Sequence, residues 1–343
     1  MIGSSVRRAA CLAFLLVVSA AFGPAPEPFT LQLPTSNDAL FSPDEARFYQ
    51  HVNRYFRGQR SQPWEAGRYG FVRNPRSVGG KLVFTRLHEG IDVRPLHRGE
   101  DGAPLDTVRA IASGEVAYVN SSPRKSNYGR YVVVEHRWDG SPFFSLYAHL
   151  GSISVEPGTR VVAGKDLGIM GFSGVGLSRD RAHLHLEVGM LLNETFEPWY
   201  DAHFHDEPNY HSIYSGLNLA GLDVAALYAA YRADSSLTVR EFVRSRPVAY
   251  ELTIPDRGGL DLIRRYPWLM ERSPTGDVPA WTISFTRAGL PVRVEGSARP
   301  VDRPVLEQVE PEIQREHFCY ANGYLDRRSD QCVLTRQGRR YGE

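Results

Sequence analysis

The chain has 343 residues, 42% of them hydrophobic and 23% charged, with a formal net charge of +1. That length accommodates two or three domains with a sizeable core, at roughly 100–200 residues each. The near-zero charge supplies no broad field for nucleic acid or an anionic membrane surface, and no nucleic-acid partner is expected.

Arg7 and Arg8 precede an apolar run from Ala9 to Phe22, and Ser19 and Ala21 are small residues of the kind a signal peptidase accepts. The run is shorter than the roughly 20 residues a membrane span needs. Residues 1–21 therefore read as a cleaved export signal that leaves no stable membrane anchor. The expected location is the periplasm or cell envelope, or the medium. Pro24 to Thr35 is proline-rich and reads as a linker. Residues 22–75 are expected to combine this linker with a helix. Ser42 can cap it, Pro43 suits its first turn and Glu45 completes a capping box. Phe48, Tyr49, Val52, Tyr55 and Phe56 would share one face, and Gly58 would stop it.

From Val83 to Met190 short runs rich in valine and aromatic residues alternate with glycine. Val108–Val119, Tyr131–His136, Phe143–Leu150, Thr159–Val162 and His183–Val188 read as strands of an antiparallel, mainly β domain over residues 76–195. Residues 196–343 read as a small α+β extension. It opens on an aromatic, histidine-rich loop, Phe196 to His211. Helices are expected over Asp223–Ala233, after a Thr238/Glu241 capping box, and over Leu260–Met270 with a break at Pro267. Strands are expected at Trp281–Thr286 and Pro291–Glu295. Cys11 falls in the signal, which leaves Cys319 and Cys332 to bridge in an oxidising compartment.

Three segments carry chemistry: His88-Glu89-Gly90-Ile91-Asp92, Tyr147-Ala148-His149-Leu150 and His183-Leu184-His185-Leu186-Glu187. Zinc takes nitrogen and oxygen ligands, and a catalytic site keeps one position open for water. Two histidines and a carboxylate supply three ligands. Residues two apart on a strand project to one face, so His183 and His185 point together, one to bind metal and one to stand over substrate. No His-Glu-x-x-His is present, which disfavours a thermolysin-like site.

These segments, with Gly114-Glu115-Val116, Asn127 to Val132 and Gly164-Lys165-x-Leu167-Gly168-x-Met170-Gly171, resemble the M23 (LytM/lysostaphin-type) zinc metalloendopeptidases over Leu87 to Met190. The resemblance implies a lysostaphin-like open β-barrel or sandwich. It implies one zinc ion per chain held by His88, Asp92 and His185, with His149 and His183 as catalytic histidines. It implies peptidoglycan peptides as substrate, either a glycine bridge or a D-alanyl–diaminopimelate cross-link. Departures are Ala182 where the family often has proline and Leu186 where it often has phenylalanine. The turn Ser178-Arg179-Asp180-Arg181 is more charged than usual, which bears on substrate contacts. Two other readings are a non-catalytic LytM-type activator of a cell-wall amidase and a wall-binding module with a structural metal. Activators of that kind typically lose metal or catalytic residues, and this chain keeps all five. His203, His205 and His211 are candidates for the cleft or a second metal. Trp199, Tyr200 and Tyr210 are candidates for a groove wall or for interdomain packing. His97 and His136 read as surface or turn residues.

Overall fold

The structure, a computed structural model, describes residues 29–311, 322–329 and 331–343. The expected export signal and Cys319 lie outside the described residues. The fold is mainly β and antiparallel.

The N-terminal segment departs from expectation. No long helix forms over 42–58. A 3₁₀ turn at Glu45–Arg47 is followed by a hairpin of β1 (Arg54–Phe56) and β2 (Gln59–Ser61). The reason is a remote partner. Tyr49 bridges Val93, with hydrogen bonds from Gln50 N to Asp92 O at 2.8 Å and from Arg94 N to Phe48 O at 2.9 Å. That pairing buries Phe48, which closes the turn in a helical conformation, and Tyr49, where the extended chain begins, while Tyr55 stays 66% exposed. Gly58 serves the hairpin turn instead of a helix stop: Arg57 and Gly58 both have positive φ, the pattern of a tight two-residue hairpin loop. A second hairpin follows, β3 (Gly70–Val78) with β4 (Lys81–His88).

The central sheet contains β5 (Ile91–Val93), β7 (Gly114–Asn120), β8 (Tyr131–Trp138), β9 (Ser141–Ala148), β11 (Arg160–Val161), β13 (Leu184–Leu191) and β14 (Leu219–Gly221). Its order is β11-β7-β8-β9-β13-β14, and β5 also pairs with β13. A small sheet of β6 (Thr107–Arg109), β10 (Ser152–Ile153) and β12 (Asp166–Ile169) adjoins it. Among the described residues the strands do not close into a barrel. Both faces of the central sheet are covered, so period-2 alternation sorts residues between two cores. Val132, Val134, Phe143 and Tyr147 enter the main core, while Tyr131, Val133, Phe144 and Leu146 join Tyr214 and Leu219 on the other face.

Beyond β13 the histidine-rich stretch is not all loop: Phe196–His203 forms helix α1. It buries Phe196 and Tyr200, an i,i+4 pair on one face, against the body of the protein. Helix α2 (Val224–Ala233) is capped by Asp223, and α3 (Val239–Arg244) carries the Thr238/Glu241 capping box. Helix α4 (Asp261–Arg265) ends before Pro267, as the ring demands. Strands β15 (Tyr250–Pro255), β16 (Ala280–Phe285), β17 (Pro291–Ser297) and β18 (Val305–Val309) form a sheet of order β17-β16-β15-β18. A last hairpin, β19 (Leu325–Arg328) with β20 (Gln331–Leu334), leads to α5 (Arg336–Gly342). Cys332 on β20 is disulfide-bonded.

Candidate metal centre

His88 ends β4 and Asp92 lies on β5, across a turn at Glu89-Gly90. The turn passes close to β13: a Cβ on Gly90 would lie 2.3 Å from the Leu186 carbonyl oxygen. Only glycine lets the turn sit there. The antiparallel register then sets Asp92 directly opposite His185, and β9 sets Ala148, the residue before His149, opposite His185 on the other side. His183, just ahead of β13, aims at the same point.

The side chains converge tightly. His88 Nε2 and Asp92 Oδ1 are 3.1 Å apart, His185 Nδ1 and Asp92 Oδ1 3.0 Å, and His88 Nε2 and His185 Nδ1 3.1 Å. All three residues are buried. The outer nitrogens are fixed by acceptors: His88 Nδ1 donates to the Arg68 carbonyl at 2.8 Å, and His185 Nε2 to Glu187 Oε1 at 2.7 Å. Those bonds turn the remaining lone pairs of both rings inward on a carboxylate oxygen, which is how zinc-binding histidines are held. Such a cluster needs a positive charge at its middle, so the donor set fits a divalent cation.

The electrostatics express the same demand. Burial alone would lower the His185 pKa, but hydrogen bonds to Asp92 and Glu187 and their charges lift it to about 10. Burial would raise Asp92, and the charges of His88, His183 and Arg73 instead hold it well below the usual carboxylate range. Burial pushes His88 down to about 4. Burial also raises Glu187 in isolation, and its bonds from His185 and Tyr128 more than reverse that.

His149 and His183 stand beside this cluster with ring centroids 4.6 Å apart. His149 Nδ1 donates to the Ser173 carbonyl at 2.9 Å and His183 Nδ1 to the Arg181 carbonyl at 2.7 Å. His183 Nε2 lies 3.3 Å from Asp92 Oδ1. Burial, followed by the neighbouring His183 and His185, lowers the His149 pKa well below its ordinary value. His149 also has φ +64°, a left-handed conformation that costs a non-glycine residue roughly 1–3 kcal/mol and recurs at functional sites. Together these residues line a cleft of about 200 Å³.

The other histidines are placed elsewhere. His136 is not a surface residue. It is fully buried, bonded to the Ser113 carbonyl and the Ser145 hydroxyl, and stacked 4.6 Å from Trp138. His97 is exposed. His211 packs behind the cleft on Tyr128, whose ring in turn stacks on His185. His203 is tied to the Trp199 carbonyl and to Glu343, and His205 is exposed. Trp199 donates to the Arg340 carbonyl, which ties it to the C-terminal helix, and Tyr200 stacks on Phe204 at the end of its own helix; neither is among the cleft residues. Tyr210 is 43% exposed and is not among the cleft residues.

Sequence reasoning did not find Arg73, whose guanidinium donates to Asp92 Oδ2 at 2.5 Å and to the Ala66 carbonyl at 3.1 Å. It also gave no role to Tyr128 or Glu187, the pair that anchors the back of His185. The alternation of His183, His185 and Glu187 was a signal for Glu187; no local pattern pointed to Arg73.

Residues 86–197 match the family model of peptidase family M23. A curated relative, an uncharacterized protein of Neisseria meningitidis serogroup B, is 37% identical over 90 residues; the match spans 25% of this chain and 13% of that protein. Among solved structures, the catalytic domain of the antimicrobial peptidase lysostaphin from Staphylococcus simulans is 23% identical with a TM-score of 0.26. It covers 40% of this chain and 80% of that one. A zinc containing peptidase from Vibrio cholerae is 26% identical with a TM-score of 0.25, over 41% of this chain and 36% of that one. The likeness to peptidase family M23 thus covers residues 86–197, about a third of the chain, and includes every residue of the metal cluster and both neighbouring histidines.

Proposed function

We propose that the protein is an exported zinc metalloendopeptidase that hydrolyses peptide cross-links or stem peptides of bacterial peptidoglycan. The observation that carries this reading is the convergence of His88, Asp92 and His185 in a cleft shared with His149 and His183. The first three would hold the zinc. When bound, the ion would supply Lewis-acid polarisation of a peptide carbonyl and acidification of a water.

The chain's own groups do the rest. His149 is kept neutral by burial, and its Nδ1–H is committed to the Ser173 carbonyl, so its Nε2 lone pair is available to accept a proton. His183 is left to stabilise negative charge on the carbonyl oxygen or to protonate the leaving amine. Arg73 neutralises the outer oxygen of Asp92, and Glu187 orients His185. The presence of all five groups favours an enzyme over a non-catalytic activator of a cell-wall amidase.

The test is digestion of purified peptidoglycan of both cross-link chemistries by the metal-loaded protein, with fragments identified by mass. Conversion of cross-linked muropeptides to uncross-linked ones, abolished by chelation and restored by zinc, is the expected result. His88→Ala, Asp92→Ala and His185→Ala should each lose both metal and hydrolysis. Folded, zinc-loaded protein that leaves both walls intact would overturn the enzymatic reading.

A further inference from the structure

The near-zero net charge conceals a strong local imbalance. Residues 51–88 hold eight arginines and lysines and one acidic residue, Glu65, while the rest of the chain has more acidic than basic residues. Nearly all of this charge sits on the hairpins β1–β2 and β3–β4, which precede the matched family segment except at its first three residues.

The two hairpins are held side by side. Arg54 on β1 donates to the Val72 carbonyl at 2.8 Å and lies 4.3 Å over the Phe84 ring. At the tip of the first hairpin, Arg57 donates to the Ser77 hydroxyl at 2.9 Å. Ser77 pairs with Leu82, and Val78 with Lys81 across the Gly79-Gly80 turn. Both tips therefore lie at the same end. Arg76 is the chain neighbour of Ser77, and Lys81 is the chain neighbour of Leu82, so both flank the point where Arg57 makes its contact. None of these three cations, nor Arg60, meets a carboxylate among the described residues. Nothing covers this end: a Cβ on Gly58 or Gly80 would have no atom within 4 Å. Beside each tip an apolar side chain stands in solvent, Tyr55 next to the first and Leu82, 55% exposed, next to the second.

We infer that the two tips form a docking surface for a bilayer rich in anionic phospholipid headgroups. The cations match the headgroup phosphates, and each Lys or Arg near such a surface strengthens adsorption. The apolar side chains decide between a bilayer and a soluble polyanion. Leu82 gains nothing from a chain of phosphates. A bilayer interface takes Leu82 and the Tyr55 ring below the headgroups, while Arg60, whose guanidinium lies 5.8 Å over that ring, stays at phosphate level. A second copy of the chain presents the same positive charge and is repelled. Because β4 runs from Lys81 to His88, docking keeps the His88 backbone within roughly 25 Å of the docked tip. The surface gives the proposed activity a location and does not depend on that activity.

Vesicle co-sedimentation tests the surface without relying on turnover. The protein is the chain of residues 22–343, which lacks the expected signal and holds every described residue. Mixed phosphatidylglycerol–phosphatidylcholine vesicles should bind it at least about tenfold more tightly than phosphatidylcholine vesicles, and added salt should weaken that binding. Replacing two tip cations together, Arg76→Gln with Lys81→Gln, should weaken binding to the mixed vesicles by about tenfold or more. The same loss of charge at Arg257 and Arg272, both exposed on the C-terminal unit, should leave it unchanged. Tyr55→Ser with Leu82→Ser should weaken vesicle binding about fivefold or more and leave binding of soluble polyphosphate unchanged. Melting temperature checks that each variant is folded. Equal binding to both vesicle types, or full binding by the Arg76/Lys81 variant, would overturn the surface. Full vesicle binding by the Tyr55/Leu82 variant would overturn the bilayer as its partner in favour of a soluble polyanion. Hydrolysis of peptidoglycan in solution is read separately: a failure to cut, with vesicle binding intact, counts against the endopeptidase reading alone.

Discussion

At the scale of single residues, His185 decides how the metal centre behaves with pH. Without metal its ring sits between Asp92 and Glu187 with its pKa lifted to about 10, so a proton holds the place a cation would take. Because this value lies above the ordinary 6.5, the metal-free protein gains stability that is fully present below pH 6.5. That contribution is lost as pH rises through about 10. Asp92 has the opposite sign: its depressed pKa contributes stability above 3.8 that fades as pH falls. Zinc must expel the His185 proton, so apparent affinity should rise by about tenfold per pH unit between pH 7 and 9, with about one proton released per zinc. Titration in buffers of different ionisation enthalpy measures this; uptake with no proton released would show that His185 is not a ligand. His149 and His183 call for a different result. His149→Ala and His183→Ala should keep zinc and slow hydrolysis by roughly a hundredfold or more. A folded but metal-free variant of either would reassign that histidine.

At the scale of elements, the turn between β4 and β5 is the tightest constraint on the site. Gly90→Ala would drive a methyl to 2.3 Å from the Leu186 carbonyl oxygen and 2.9 Å from Glu187 Cγ. Either β5 lifts from β13, separating Asp92 from His185, or the sheet distorts. A loss of roughly 3 kcal/mol and weaker zinc binding are expected. Gly140→Ala is the control. It has positive φ but open space around its Cβ, so only the backbone penalty of about 1–2 kcal/mol applies. Denaturant melts of the two variants separate crowding from backbone strain. The strands were readable in the sequence because each buries alternate residues, and the motif glycines mark the close approaches. The segment around Phe48 was not. Aromatic residues at 48, 49, 52, 55 and 56 fit a helical face, and only pairing with β5, some 45 residues away, makes the chain extended. Arg73 was unreadable for a related reason: its partner Asp92 lies on a different strand, β5, which no spacing rule joins to β3.

At the scale of the whole molecule, the C-terminal unit is built into the central sheet. Cys332 on β20 is disulfide-bonded, and its removal, as Cys332→Ser, should cost about 2–5 kcal/mol in a denaturant melt. The larger dependence lies at β13. Its far edge pairs with β14, its Leu191 N–H donates to the Tyr266 hydroxyl at 2.9 Å, and Trp268 Nε1 donates to Ser141 Oγ at 2.9 Å in buried surroundings. Apolar residues of both units, from Val134 and Phe143 to Tyr250 and Trp268, belong to one continuous core. Cutting the chain after Asn193 would strand the β13 edge and open the faces that carry Phe143 and Phe144. An exposed apolar edge strand invites association. We therefore expect residues 29–193 alone to aggregate or melt well below the parent. The intact protein should unfold in a single calorimetric transition, with van't Hoff and calorimetric enthalpies in agreement. Two resolved transitions, or a soluble truncated protein that binds zinc with parental affinity, would show that the metal centre folds without the extension.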